Sequence, residues 1–140
     1  MRFWDSSAFI PLFVEQDDTK SHLSLLGEDP HVIAWWGSQV ECVSAFNRLL
    51  REGLIEQTDF DQLQKRFDTL AAAWIETQPT NKLRQCAMRL LRVHPLRGAD
   101  ALQLAAALVA SEENPQTLPF ICSDVRLREA AAKEGFQVLP

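Results

Sequence analysis

Residues 94–107, HPLRGADALQLAAA, decide how the rest of this chain is interpreted. From Gly98 the stretch continues as a segment that is apolar on nearly every side, and a helix that is hydrophobic all round is a buried helix. Asp100 is its only acidic residue and stands near the start of that helix. Because a buried carboxylate is costly unless it is paired, this acid needs a partner. Two partners are available: the positive end of the helix dipole, or a cation that several acids share.

The length and composition limit the class of protein. A chain of 140 residues can bury a core without disulfides or structural metals, so we predict a single domain over residues 1–140. Its three cysteines are an odd number without a C-x-x-C pair, which argues against a disulfide framework or a zinc site and favours the cytoplasm. An acid at position 5 is too early for a signal peptide, and no apolar run approaches the roughly 18 residues that span a bilayer. The sequence therefore predicts a cytoplasmic protein without a membrane partner.

The formal net charge of −5 is unfavourable for a protein that binds nucleic acid, since phosphate contacts need Lys and Arg. The objection weakens if four of the acids bind divalent cations, because those acids then no longer repel an anionic substrate. From charge alone, an acidity that merely keeps the protein in solution remains the default interpretation.

Segments typical of strands alternate with segments typical of helices. Those typical of strands are residues 2–5, 31–36, 118–122 and 136–139. Helices are predicted over residues 7–15 with an interruption at Pro11, 17–26, 38–52, 58 to about 77, 81–93, from 98 onward, and 124–134. This alternation predicts an α/β fold with a central, mostly parallel sheet of about four strands and helices on both faces.

Four acids occupy equivalent places in this pattern, each at or just after the end of a strand or in the first turn of a helix: Asp5, Glu41, Asp100 and Asp124. Ligands of open parallel sheets bind where the carboxyl ends of the strands meet, so the four side chains can converge on one cleft. Clustered carboxylates raise one another's pKa, which a divalent cation offsets. Oxygen ligands without nearby His or Cys favour Mg²⁺ or Mn²⁺, and two such ions can activate water against a phosphodiester.

Each acid also has an interpretation as a helix cap. Ser38 and Glu41 match the S-x-x-E capping box, and Asp124 is a good N-cap residue. Asp100 suits the positive end of a helix dipole, and Asp5 can cap the first helix. Taken singly, these acids are better explained as structural; only the convergence of all four favours a metal site.

Four motifs resemble the PIN-domain family and, within it, the VapC-type toxins of bacterial toxin–antitoxin pairs. The motifs are FWDSSAFIPLFVEQ, SQVECVSAFNRLLREG, HPLRGADALQLAAAL and FICSDVRLREAAAKEGFQVLP. In the second motif, Glu41, Ala45 and Arg48 resemble the family's acid, small residue and arginine. The resemblance covers nearly the whole chain, with the motifs in order and at suitable spacings.

The resemblance implies a single PIN-like domain that acts as a Mg²⁺- or Mn²⁺-dependent endoribonuclease. Its catalytic and metal-binding acids would be Asp5, Glu41, Asp100 and Asp124, supported by Ser6 and Arg97. Water would attack an RNA phosphodiester and leave a 5′-phosphate and a 3′-hydroxyl. The resemblance also implies a homodimer, inhibited by a small cognate antitoxin that covers or enters the cleft.

One departure from the family pattern leaves alternatives open. Cys122 stands where the family often has Thr or Ser, and the neighbouring Ser123 is the candidate to supply the missing hydroxyl. A catalytically silent PIN domain that binds RNA or a protein partner is therefore the main alternative. A receiver-type phosphoacceptor domain is disfavoured, because Asp5 stands alone and Lys133 lies within a predicted helix.

Overall fold

A five-stranded parallel sheet organises the fold. The computed structural model describes residues 1–140. The strands are β1 (Arg2–Trp4), β2 (Val32–Trp35), β3 (Ile75–Thr77), β4 (Phe120–Ile121) and β5 (Val138–Leu139). They lie in the order β3-β2-β1-β4-β5, and every neighbouring pair is parallel.

Seven α-helices connect and cover these strands. They are α1 (Ser6–Phe13), α2 (Thr19–Glu28), α3 (Ser38–Arg51), α4 (Gln57–Ala73), α5 (Asn81–Val93), α6 (Gly98–Ala110) and α7 (Val125–Lys133). None of them is both long enough and apolar enough to cross a membrane. The predicted α/β class, with a parallel sheet and helices on both faces, is confirmed and is consistent with a PIN-like fold.

Alternate residues of the central strands supply two separate cores. Phe3, Ile33 and Phe120 pack on one face with side chains of α5, α6 and α7. Their chain neighbours Trp4 and Ile121 pack on the other face with side chains of α1 to α4. Successive side chains of a strand point to opposite faces, and both faces of a parallel sheet are normally covered. This is why the strand sequences are continuously apolar rather than alternating.

The edge strand β3 corrects a prediction from the sequence. The helix expected to reach about Thr77 ends at Ala73, and Trp74 is already extended, with φ −80° and ψ 163°. Residues Ile75–Thr77 pair with β2 instead, with Thr77 opposite Trp35. The backbone N–H and C=O groups of these residues therefore form hydrogen bonds with β2 instead of within a further helical turn. The sheet therefore has five strands rather than about four.

Pro11 does not interrupt the first helix as predicted. Helix α1 continues through Pro11, which is buried, to Phe13. A proline has no N–H, so the helix forgoes one backbone hydrogen bond at this residue. The Pro11 carbonyl accepts a hydrogen bond from the Thr19 hydroxyl at 2.7 Å, which ties α1 to the start of α2.

The strand order places a crevice beside β1. The chain proceeds from β1 to β2 and β3 on one side and returns to β4 and β5 on the other. The carboxyl ends of strands at such a reversal are where open α/β sheets bind ligands. The segments that follow β1 and β4 are joined there, because Asp5 N donates to the Ile121 carbonyl at 3.0 Å and Ser123 N donates to Ser7 Oγ at 3.0 Å.

Candidate metal centre

The four predicted acids form a chain of electrostatic neighbours at this edge of the sheet. Asp100 raises the pKa of Asp5, and both of these acids raise the pKa of Glu41. Asp124 in turn raises the pKa of Asp100. The fold therefore brings together side chains that are separated by as many as 119 positions in the sequence.

Asp5 is the most buried and most firmly held of the four. It directly follows β1, and its side chain is only 4% exposed. Its Oδ2 accepts hydrogen bonds from Ser7 N at 3.0 Å, from Ser7 Oγ, and from Cys122 Sγ at 3.5 Å. Burial raises the pKa of Asp5 more than these donors lower it. The predicted capping role is also present, because the bond from Ser7 N caps α1.

Glu41 lies in the first turn of α3 and is partly buried. Burial is the largest cause of its raised pKa, followed by the charge of Asp5. The predicted capping box with Ser38 is wrong, since α3 has no side-chain cap and Gly37 stands at the N-cap position. A Cβ on residue 37 would come within 2.5 Å of Trp35 Nε1, which explains the glycine there. The Glu41 carboxylate is thus not engaged in capping its own helix.

Asp100 and Asp124 are more open. Asp100 is partly buried in the first turn of α6, and its pKa is raised first by burial and then by Asp124, while Arg97 lowers it. Asp124 is exposed and caps α7 as predicted, because its Oδ1 accepts a hydrogen bond from Leu127 N at 2.9 Å. Its other oxygen makes no hydrogen bond within the protein.

Two cavities meet at Asp124. The first, of about 400 Å³, has Ser6, Glu41, Arg48 and Asp124 among its lining residues. The second, of about 290 Å³, is lined by Pro95, Arg97, Asp100, Asp124 and Arg126. The predicted supporting residue Arg97 is therefore beside the acids, and Arg126 joins it from the first turn of α7.

The predicted supporting residue Ser6 is buried, and its Oγ accepts a hydrogen bond from Gln103 Nε2 at 2.6 Å.

The hydroxyl that serves Asp5 does not come from the residue expected. Ser123 Oγ donates to Asp18 Oδ2 at 2.7 Å, so the expectation that Ser123 compensates for Cys122 is wrong. Ser7 donates to Asp5 instead. Cys122 itself is fully buried, accepts from Asp124 N at 3.3 Å and donates to Asp5. Burial and the charge of Asp5 raise the pKa of this thiol, so it stays protonated and acts as a donor rather than as a metal ligand.

Gln103 and Ser38 are site residues that the sequence analysis missed. Gln103 Nε2 lies 3.2 Å from Glu41 Oε1 and 3.0 Å from Ser38 Oγ. The one available signal was a lone amide in an otherwise apolar helix. Its partners are 62 and 65 residues away along the chain, which no local pattern reveals.

The chemistry of this donor set fits a hard divalent cation. The groups are carboxylate oxygens, they repel one another, and burial opposes their ionisation, all of which a bound cation offsets. No three acidic, histidine or cysteine side chains surround a common point in the present arrangement. The acids therefore suit a divalent cation through the type of their donor atoms and their mutual repulsion, and not through a preformed coordination shell.

Comparison with known proteins gives a likeness in structure alone. No protein-family model and no curated protein matches the chain. Among solved structures, a chain of a toxin–antitoxin complex from Klebsiella pneumoniae is similar with a TM-score of 0.67 and 15% sequence identity. A chain of FitAcB from Neisseria gonorrhoeae is similar with a TM-score of 0.70 and 14% identity. Each comparison covers 100% of this chain and 97% of the other.

This likeness establishes the fold. The cover is nearly complete in both directions, so the whole α/β arrangement is shared with these chains. At 14% and 15% identity the likeness does not extend to the chemistry of the site, which must be argued from the side chains.

Proposed function

We propose that this chain is a metal-dependent endoribonuclease of the PIN-domain type and the toxin of a type II toxin–antitoxin pair. The observation that carries the proposal is the group of three mutually repelling acids, Asp5, Glu41 and Asp100, at the carboxyl edge of a parallel sheet. Their burial raises their pKa values, so as ionised groups they destabilise the fold. Such an arrangement is typical of functional sites rather than of structural ones.

In this proposal Asp5, Glu41 and Asp100 hold the main Mg²⁺ or Mn²⁺ ion, and Asp124 assists a second ion or orients the attacking water. A bound dication would supply Lewis-acid chemistry, neutralising phosphate charge and making water more acidic. Ser7 and Cys122 hold the Asp5 carboxylate in place through their hydrogen bonds.

Two arginines are placed to bind the RNA backbone. Arg97 and Arg126 line the same cavity as Asp100 and Asp124, and neither guanidinium is in an ion pair within the protein. Guanidinium groups bind phosphate oxygens through charge-assisted hydrogen bonds. The two arginines would therefore hold a phosphate of the substrate beside the acids.

The proposed protein partner is a cognate antitoxin. Support comes from the shared fold with a chain of the Klebsiella toxin–antitoxin complex. The antitoxin would cover the cleft of a cytoplasmic homodimer and keep RNA from the acids. Coexpression with a candidate antitoxin, followed by copurification, tests this part of the proposal.

Two observations favour a second candidate, a catalytically silent PIN domain that binds RNA or a protein. No three acidic side chains surround a common point, and a thiol replaces the hydroxyl that the family often has at position 122. In this alternative the acids would bind metal weakly or not at all, and RNA would be bound but not cut.

Cleavage of an end-labelled mixed RNA pool separates the two candidates. Wild type and Asp100→Asn would each be incubated with Mg²⁺, with Mn²⁺ and with a chelator. We expect cutting by wild type in either metal, none with chelator, and none by Asp100→Asn, whose fold circular dichroism would verify. Metal binding by wild type without cleavage would contradict the nuclease and favour the silent domain.

A further inference from the structure

Gln103 is the only polar side chain that helix α6 buries completely. Its exposed fraction is 0%, and the other buried residues of the helix are all Ala or Leu. An amide in an apolar core is costly unless its donors and its acceptor are hydrogen-bonded. Packing alone would favour leucine or methionine at this position, so the amide must serve another purpose.

The donor end of the amide joins three oxygens from two other helices. Gln103 Nε2 lies 2.6 Å from Ser6 Oγ in α1, and 3.0 Å from Ser38 Oγ and 3.2 Å from Glu41 Oε1 in α3. The amide nitrogen carries two hydrogens and cannot accept, so these two hydrogens are shared among the three oxygens. The Glu41 carboxylate therefore receives its donor from α6.

The acceptor end of the same amide has no partner. Gln103 Oε1 is buried and makes no hydrogen bond, which is one of only two such side-chain atoms in the protein. Turning the amide around would place its carbonyl oxygen against the Glu41 carboxylate and the two would repel each other. The unpartnered oxygen is thus the cost of directing donors at Glu41, and such a cost in a native core calls for an explanation.

We propose that Gln103 is a positioning residue: Ser6 and Ser38 anchor its amide, and the amide fixes the Glu41 carboxylate where metal binding needs it. This inference rests on the proposed function. Gln103 would not touch the substrate or the ion and would act only through Glu41. Loss of a group that hydrogen-bonds a metal ligand in this way typically weakens metal binding by about 10- to 100-fold.

The test is the affinity for Mn²⁺, measured by titration calorimetry on the full chain. Gln103→Met keeps the length and packing of the side chain and removes its donors, and we expect binding about tenfold weaker than in wild type. Thr77→Val is the matched control, because the Thr77 hydroxyl is buried and donates to the Ala106 carbonyl of the same helix at 3.3 Å without touching an acid. This control should bind Mn²⁺ as wild type does.

A double-mutant cycle shows whether the effect passes through Glu41. In a Glu41→Gln background, adding Gln103→Met should weaken Mn²⁺ binding no further, since the group that it positions is gone. An equal loss in both backgrounds, or undiminished binding by Gln103→Met, would overturn the inference while leaving the proposed function intact. Wild type that binds no Mn²⁺ would overturn the proposed function and this inference together.

Ser38→Ala keeps the inference testable if Gln103→Met does not fold. It removes one anchor of the amide and leaves Gln103 and Glu41 in place. We expect about threefold weaker Mn²⁺ binding, a smaller loss than for Gln103→Met because Ser6 still anchors the amide. Binding equal to that of wild type would contradict the positioning role.

Discussion

The two halves of the acid cluster are built differently. Asp5 and Glu41, the tethered pair, are held by donors from Ser7, Cys122 and Gln103 on three different parts of the chain. Asp100 and Asp124, the open pair, line a cavity with two arginines and receive few hydrogen bonds. We infer a division of labour, in which the tethered pair fixes where the ion binds, Asp100 is a further ligand, and Asp124 faces the substrate.

The largest expected difference between the pairs is in catalysis. Asp5→Asn should lower the cleavage rate about 1,000-fold, because it removes a charge on which the transition-state stabilisation of about 4 kcal/mol depends. Asp124→Asn should lower it only about tenfold, since the residue is exposed and asparagine caps a helix equally well. Single-turnover cleavage with Mn²⁺ measures both, with the exposed Asp61→Asn as control. Equal losses from the two substitutions would contradict the division of labour.

A smaller effect is expected at the arginines beside the open pair. Arg97→Gln or Arg126→Gln should each lower kcat/KM about tenfold, mainly through KM, because a charge-assisted hydrogen bond to phosphate is lost. The dependence of binding on salt should become less steep in both variants. Arg92→Gln, on the exposed surface of α5, is the control and should change neither quantity. A fall in kcat with unchanged KM would place these arginines in the chemical step instead.

The smallest expected effect is on stability, and its sign follows from the raised pKa of Glu41. An acid whose pKa is higher in the folded than in the unfolded state binds protons more tightly when folded, so stability falls as pH rises through that range. In chelator at pH 7, Glu41→Gln should therefore raise the free energy of unfolding, because it removes a partly buried charge. The gain should vanish as pH falls well below the ordinary pKa of a glutamate, because the carboxyl is then protonated in both states.

Asp124→Asn provides the comparison in the same experiment. Its cap survives as an asparagine cap, so the free energy of unfolding at pH 7 should change little. Urea denaturation at several pH values measures both variants. Destabilisation by Glu41→Gln at pH 7 would show that the ionised carboxylate supports the fold and would remove the main physical argument for a metal.

Features set by local sequence were predictable. The buried helix α6 follows from its apolar residues, and the position of each acid follows from the end of a predicted strand or the start of a predicted helix. The caps at Asp5 and Asp124 follow from residue type. Each of these depends on residues only a few positions apart.

Features set by contacts across the fold were not predictable. No residue near Ala73 in the sequence predicts the end of α4, since the next strong helix breaker is Pro79. Ile75–Thr77 forms a strand because it pairs with β2, a contact that the local sequence does not show. Gly37, which lies against the indole of Trp35, takes the N-cap position, so Ser38 is already inside α3 and the predicted capping box does not form. The role of Gln103 could not be predicted, because its three hydrogen-bond partners become neighbours only when α1, α3 and α6 pack together.

The most direct test of the central claim is whether Mn²⁺ stabilises the protein through these acids. A ligand that binds only the folded state raises the unfolding temperature as its concentration rises. Differential scanning calorimetry of wild type, Asp5→Asn and Asp100→Asn, each with chelator and with increasing Mn²⁺, measures this. We predict a rise in Tm with Mn²⁺ for wild type and none for either variant. An equal rise in all three proteins, or none in wild type, would contradict the claim that Asp5, Glu41 and Asp100 form a metal centre.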